Sequence, residues 1–374
     1  MAQTYYAVTP PGLEEPLLRE LRKLGARKCV ASQGGVTFEG TRKTLYAVMY
    51  GTWMAARVYW RVDEFRARDL PELFNKIRRL EWANILPDRC ALAIEAVSLR
   101  SGLQHTGRIA ESTQAAIEES RGKKLALSES DKLVPLKLLV RIEDERCQLS
   151  LEAGGWPLYH HGWRTNIGVA PLREAHAATL LSLAGWTPGT PLVDPLCGAG
   201  TFALLAARQA AGLPPRTWTS WAFERWAGFE PELWEQTKQD WIAEHPPVEG
   251  VIWAADRDPK AIEAAKVNAA QAGVTERVTL SVADVADLLP PCEAPGLIIT
   301  NPPFGERMSR GGEDQTPADR LLVERFRDHF PGWTLAMLLP SRVTPTFKGL
   351  VAEPLGNFRQ GGLPVRFWRL SAAA

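Results

Sequence analysis

Cysteine is scarce and follows no pattern. Five occur in 374 residues (Cys29, Cys90, Cys147, Cys197 and Cys292), an odd number with no C-x-x-C among them. That argues against a disulfide framework or a thiolate zinc site and fits a reducing cytoplasm. Long apolar runs are missing as well, and none approaches the ~18 residues a membrane span requires. The opening stretch, M-A-Q-T-Y-Y-A-V-T-P-P-G-L-E-E, has neither a basic start nor a long apolar core, so no secretory signal is expected. Net charge is almost absent, at +1.

What charge there is lies unevenly. Residues 1–165 hold 25 Lys and Arg against 20 Asp and Glu, whereas residues 166–374 hold 19 against 23. A polyanion-binding N-terminal part would show this split, and so would a solvated surface of ordinary composition. With 45% hydrophobic and 23% charged residues, a chain of this length reads as two or three globular domains.

Hydrophobic patterning divides the chain. A strand at 4–9 precedes a helix at 13–24, where Leu13, Leu17, Leu18, Leu21 and Leu24 share one face and Gly25 follows as a stop. A strand at 36–40, a helix near 42–50 and a strand at 56–62 complete a small α+β unit over 1–65. A helix at 70–80, a strand at 91–97, a helix at 111–119 and two strands around the turn E-D-E-R (143–146) predict a second unit over 66–165. That unit closes on the linker E-A-G-G-W-P-L-Y-H-H-G-W-R (152–164), whose aromatic and basic residues either pack the joint or contact RNA.

From 166 to 374 the rhythm changes. Strands at 191–195, 251–255, 278–282, 297–300 and 334–339 alternate with helices at 171–183, 202–211, 259–272 and 317–330. This predicts a doubly wound α/β sheet, with F-R-Q-G-G-L-P-V-R-F-W-R-L as its closing hairpin.

Ligands of such sheets bind beyond the carboxyl ends of the strands, so those ends carry the chemistry. After the first comes D-P-L-C-G-A-G-T (194–201), where Gly198 and Gly200 let the backbone approach a ligand closely. Its G-A-G-T-F-A also satisfies a dinucleotide fingerprint, so the loop alone leaves an NAD-dependent oxidoreductase open. After the second strand, Asp256 stands where a carboxylate grips ribose hydroxyls. After the third, Asp284 is placed to meet an adenine amino group.

The fourth strand, L-I-I-T, runs into Asn301-Pro302-Pro303-Phe304. An oxidoreductase has no use for that ending, but methyl transfer to the exocyclic amine of a base does. The amine's lone pair is delocalised into the ring, which makes it a poor nucleophile. The Asn301 side-chain oxygen and the Pro302 carbonyl can each accept one of its N–H groups, which orients the nitrogen and stabilises the charge it gains. The two prolines fix the backbone, and Phe304 can stack on an extruded base.

With these motifs the chain resembles the class I S-adenosylmethionine-dependent methyltransferases that carry an N-terminal THUMP RNA-binding region. Within that family it is similar to the bacterial branch that methylates guanine N2 in 23S ribosomal RNA. The likeness runs through Y-A-V-T-P-P-G-L-E-E-P-L-L-R-E-L, H-H-G-W-R…A-P-L-R-E-A-H-A-A-T-L-L, D-P-L-C-G-A-G-T, A-A-D-R-D and T-N-P-P-F-G-E-R. It includes the insertion W-A-F-E-R-W-A-G-F-E-P-E-L-W (221–234).

The resemblance implies an α/β fold with a C-terminal Rossmann-like methyltransferase sheet (166–374), preceded by ferredoxin-like (1–65) and THUMP (66–165) α+β domains. It implies S-adenosylmethionine as donor and S-adenosylhomocysteine as product. The implied partner is structured RNA, with no membrane, DNA, metal or obligate protein partner. Transfer-RNA guanine-N2 methyltransferases share the architecture and the tetrapeptide. By motif, donor binding falls to Ala170, Leu172, Asp194, Cys197, Gly198, Gly200, Thr201, Asp256, Arg257, Asp284, Val285 and Asn301. Catalysis falls to Asn301, Pro302, Pro303 and Phe304. Arg257 departs from the pattern, since many relatives have an apolar residue there. The insertion's tryptophans (Trp218, Trp221, Trp226, Trp234 and Trp241) either stack on RNA bases or pack the insertion onto the sheet.

Overall fold

The computed structural model describes residues 2–125, 135–165, 172–217, 220–302 and 317–373. Its first unit is β1 (Gln3–Val8), α1 (Glu14–Lys23), β2 (Arg27–Ser32), β3 (Gly35–Gly40), α2 (Arg42–Gly51) and β4 (Arg57–Arg66). The order is therefore β-α-β-β-α-β, one strand more than the sequence pattern predicts. The added strand, β2, is R-K-C-V-A-S at the sheet edge; only Cys29 in it is buried, so no alternation marks it.

The second unit is α3 (Leu70–Arg78), β5 (Leu92–Leu99), α4 (Thr106–Arg121), β6 (Leu136–Glu143) and β7 (Arg146–Glu152). Helix α4 begins before the expected position 111 and ends at Gly122 in the left-handed conformation. The expected E-D-E-R turn is present, with Asp144 and Glu145 both at positive φ (49° and 64°), as a tight two-residue hairpin demands.

Strand β4 pairs with β1 on one side and β7 on the other, so seven strands form one sheet in the order β2-β3-β1-β4-β7-β6-β5. The sheet is continuous across residues 65 and 66. Register places Phe38, Tyr5, Trp60, Leu151 and Leu138 in one row across five strands, and all five are buried.

The second sheet contains β8 (Leu192–Asp194), β9 (Ile252–Asp256), β10 (Thr279–Val282), β11 (Leu297–Thr300), β12 (Thr334–Pro340), β13 (Leu350–Gln360) and β14 (Leu363–Ala372). Its order is β10-β9-β8-β11-β12-β14-β13, with the first five strands parallel and the last two antiparallel. The expected closing hairpin is β13–β14. Strand order reverses between β8 and β11, which opens a crevice at their carboxyl ends.

The helices of this half are α5 (Glu174–Leu183), α6 (Thr201–Ala210), α7 (Pro231–Glu244), α8 (Pro259–Ala272) and α9 (Pro317–His329). On one face of the sheet, Leu322 and Phe326 of α9 pack with Val193, Ile298, Leu335 and Met337. On the other, α5, α6 and α8 belong to a core that continues without a break into the N-terminal sheet.

The insertion contributes much of that continuity, beside the buried linker residues Leu158 and Trp163 and the contact of α1 with α5. Helix α7, which the sequence reading did not anticipate, lies against α2. Tyr46 stacks on Phe223 at 5.0 Å and meets Trp234 edge-on at 5.7 Å. Tyr50 meets Trp241 at 5.8 Å, and Trp60 meets Trp226 at 5.4 Å. Trp221, Trp226, Trp234 and Trp241 are all buried, so they pack rather than lie open to RNA bases. Trp226, Trp234 and Trp241 do so, however, against α2 and β4 of the N-terminal unit instead of the methyltransferase sheet. Trp218 lies outside the described residues. Gly51 permits the close approach, because a Cβ there would sit 2.1 Å from the Trp241 ring. Among the described residues no helix is long and apolar enough to cross a membrane.

Candidate active site

Four strand ends converge where the sequence predicts them. Strand β8 ends on Asp194, β9 on Asp256 and β11 on Thr300, with Asp284 just after β10 and Asn301 just after β11. Because β10, β9, β8 and β11 are parallel neighbours, these residues share one end of the sheet.

The loop after β8 is built for close backbone approach. Gly198 and Gly200 both have positive φ, at 52° and 86°. A side chain at Gly200 would press on Leu204 and Ala265, whereas a Cβ at Gly198 would meet nothing within 4 Å. Gly200 thus serves packing, and Gly198 faces open space. Cys197 anchors the loop through its amide, which donates to the Ala255 carbonyl at 2.9 Å. Its thiol is buried, and burial holds it protonated far above the ordinary thiol range.

Asp256 ties the first two strand ends together. One carboxylate oxygen accepts from the Gly198 amide and the other from the Asp258 amide, each at 3.0 Å. Each oxygen keeps a lone pair for a further donor such as a hydroxyl. Asp258 caps α8 through the Lys260 amide, and Asp284 accepts from the Ala286 amide at 2.9 Å. Val285 is buried beside it, while Arg257 is exposed.

Asp194 is 2% exposed and its Oδ1 has no hydrogen-bond partner. Burial pushes its pKa up to about 8; the Asp256 charge adds to the rise, and the Leu196 amide and Thr300 hydroxyl oppose it. The Asn301 Oδ1 is likewise buried without a partner. Two unsatisfied acceptors, one at the glycine loop and one at N-P-P-F, are costly unless a ligand brings donors to them. These acceptors therefore fit a cationic, hydroxyl-bearing ligand at Asp194 and Asp256, and an N–H donor at Asn301. Ala170, Pro303 and Phe304 lie outside the described residues.

Sequence reasoning missed the residues that hold this loop. Arg164, assigned above to a linker that packs or contacts RNA, has a side chain only 4% exposed and points inward. It donates to the Leu172 carbonyl at 2.8 Å and to the Thr201 hydroxyl at 2.7 Å, with Glu174 at 3.5 Å. The Thr201 hydroxyl is thus already engaged by the protein. Asn268, fully buried on α8, accepts from the Thr165 amide and donates to the Ala199 carbonyl at 3.1 Å. The linker thereby grips both the segment before α5 and the glycine loop. Nothing in H-H-G-W-R-T signals this, since the partners, a Leu172 carbonyl and the side chains of Glu174, Thr201 and Asn268, lie outside that stretch and meet it only in the fold. His161 and Trp163 are fully buried, the packing outcome, and burial holds His161 neutral.

Residues 161–347, half of the chain, match the family model described as the RMKL-like methyltransferase domain. The chain belongs to that family. A second model, the RlmL ferredoxin-like domain, matches residues 4–59. A protein of Synechocystis sp. named "Putative RNA methyltransferase" is 31% identical over 366 residues, 96% of this chain and 94% of that protein. Among solved structures, a "putative methyltransferase complexed with SAH" is 26% identical with a TM-score of 0.83, covering 100% of this chain and 99% of that one. A "predicted N6-adenine-specific DNA methylase" of Listeria monocytogenes is 25% identical with a TM-score of 0.82, covering 98% and 96%. In this RMKL-like methyltransferase the fold is accordingly α/β, with a Rossmann-like methyltransferase sheet behind a ferredoxin-like N-terminal domain.

Proposed function

We propose that this RMKL-like methyltransferase transfers the methyl group of S-adenosylmethionine to the exocyclic N2 amine of a guanine in 23S ribosomal RNA. The observation that carries the reading is the buried, unpartnered Asn301 Oδ1 at the end of β11, directly before Pro302. When bound, S-adenosylmethionine supplies a methyl group on a cationic sulfur. Asp256 takes the ribose hydroxyls with the lone pairs its amide contacts leave free, and ionised Asp194 meets the ammonium group. Gly198 leaves room for the ligand against the loop, and Asp284 and Val285 border the base. Asn301 and the Pro302 carbonyl accept the two amine N–H bonds and stabilise the positive charge that grows on nitrogen. Pro303 and Phe304 fix and stack the flipped base.

RNA as acceptor is supported by the Synechocystis relative's name and by the cationic excess of residues 1–165. Residues 66–165 act as the THUMP region that holds structured RNA. The motifs are shared with the transfer-RNA enzymes, and the long tryptophan-rich insertion is what tilts the reading toward 23S. Five unpaired cysteines suit a reducing cytoplasm.

Incubation with unmodified ribosomal and transfer RNA, followed by nucleoside mass spectrometry, tests the reading. The expected product is N2-methylguanosine in 23S RNA. Product in transfer RNA alone would move the substrate, N6-methyladenosine would move the acceptor base, and methylation on a ring carbon or ribose oxygen would refute the role given to Asn301.

A further inference from the structure

The linker sorts its side chains to two sides. Leu158, His161 and Trp163 are fully buried, whereas Trp156 is 61% exposed, the single aromatic among the large hydrophobic residues so exposed in the described structure. Local hydrogen bonds produce the split. The Leu158 amide donates to the Ala56 carbonyl at 2.8 Å and pins one side of the turn to β4's approach. The His160 amide donates to the Pro157 carbonyl at 3.3 Å and closes the turn outward.

Outside, aromatic and cationic groups lie in succession. The Tyr159 and His160 rings are 4.5 Å apart, and the Arg173 guanidinium sits 4.3 Å from the Tyr159 ring centroid. His160 and Arg173 are exposed, and no described carboxylate lies within ion-pair distance of Arg173. Arg173 is also the residue between Leu172, whose carbonyl Arg164 holds, and Glu174, at the wall of the donor site.

We propose that Trp156, Tyr159, His160 and Arg173 form a platform that grips single-stranded RNA beside the target base. The proposal rests on RNA being the acceptor. Flat π faces stack on bases of any sequence, and a guanidinium without a carboxylate partner among the described residues stands beside them to meet the phosphate. A strand whose target base has been flipped out needs such support for its neighbours. A protein partner would call for a wider apolar patch than one indole with a charged rim.

The test measures binding of a short fluorescent single-stranded RNA to the full-length protein, with S-adenosylhomocysteine affinity and methyl transfer to ribosomal RNA followed in parallel. Trp156→Ala should weaken RNA binding about tenfold, as loss of one stacking face does, and Trp156→Phe should recover most of it. Its S-adenosylhomocysteine affinity should stay at the wild-type value. Arg173→Gln should weaken RNA binding and reduce the salt dependence by about one phosphate contact. If Trp156→Ala binds and methylates RNA like an active wild type, the platform is overturned and RNA remains the acceptor. If the wild type neither binds nor methylates RNA, the underlying functional reading fails instead. A Trp156→Ala variant with intact RNA binding but altered oligomeric state would assign the surface to protein contact, and that too overturns the proposal.

Discussion

The two seven-stranded sheets bury themselves differently, and the difference decides where chemistry can sit. The C-terminal sheet has five parallel strands with a core on each face, so nothing reaches the strand middles. Ligands are left with the carboxyl ends, where Asp194, Asp256, Asp284 and Asn301 converge. The N-terminal sheet buries the row from Phe38 to Leu138, but Tyr6 and Tyr59, cross-strand partners on the opposite face, remain partly exposed. A sheet locked on both faces holds reacting groups to fractions of an ångström, while one with an accessible face suits contact with a large partner. The linker meets both tasks, because Arg164 points in and Trp156 points out.

Asn301→Ala should cut most sharply between donor binding and chemistry. Turnover should fall about 100-fold or more, the usual loss when one preorganised hydrogen-bonding group is removed. Affinity for S-adenosylhomocysteine should change less than about twofold, because the side chain acts on the acceptor. Single-turnover kinetics beside calorimetry check both halves, and a variant that keeps its turnover would refute the mechanism.

Arg164→Met should damage the locked half from the linker side. It removes the donors to Leu172 and Thr201 and strands a carboxylate, Glu174, that is 2% exposed. We expect a stability loss of about 3 kcal/mol in urea unfolding, together with weakened S-adenosylhomocysteine binding. Unchanged ligand affinity would reduce Arg164 to a purely structural residue.

Gly51→Ala strikes the joint between the sheets, where the new methyl group collides with the buried Trp241 ring. Overpacking of this kind costs about 2 kcal/mol. A thermal midpoint identical to wild type would mean that α2 and α7 separate freely.

The smallest effect is a dependence on pH. Asp194 has its pKa raised from 3.8 to about 8, so at neutral pH the unliganded protein holds it mostly protonated. Pairing with an ammonium group requires the carboxylate. S-adenosylhomocysteine affinity should therefore rise about tenfold per pH unit toward pH 8 and level off above it. The same group works against the unliganded fold in that window. Its folded pKa exceeds the unfolded one, so the stability it contributes declines as pH climbs from about 4 to about 8 and changes no further above that. A flat binding profile between pH 6 and 8 would place the ammonium group elsewhere.

Much of the catalytic half is legible in the sequence because its strand ends are punctuated. Glycine, aspartate and Asn-Pro stand where the backbone must turn or face a ligand, and the structure gathers them at one end of the sheet. The N-terminal half is less legible. Strand β2 is an edge strand with five exposed or half-wet residues and no alternation to read. The seam near residue 65 vanishes into β4, a strand that serves both neighbours. Helix α7 hides because its apolar face is tryptophan packed on another unit rather than a leucine stripe. The linker's two roles are equally hidden, since His160 and His161 differ only in which way the turn directs them.

The aromatic joint also bears on inheritance. Tyr46, Tyr50 and Trp60 come from one half, and Phe223, Trp226, Trp234 and Trp241 come from the other. Neither set is at home in water without its counterpart. A recombinant gene that joins the first half of this chain to the catalytic half of a relative would inherit a mismatched seam. The two parts are therefore bound to drift together, residue against residue, even though their tasks could be separated.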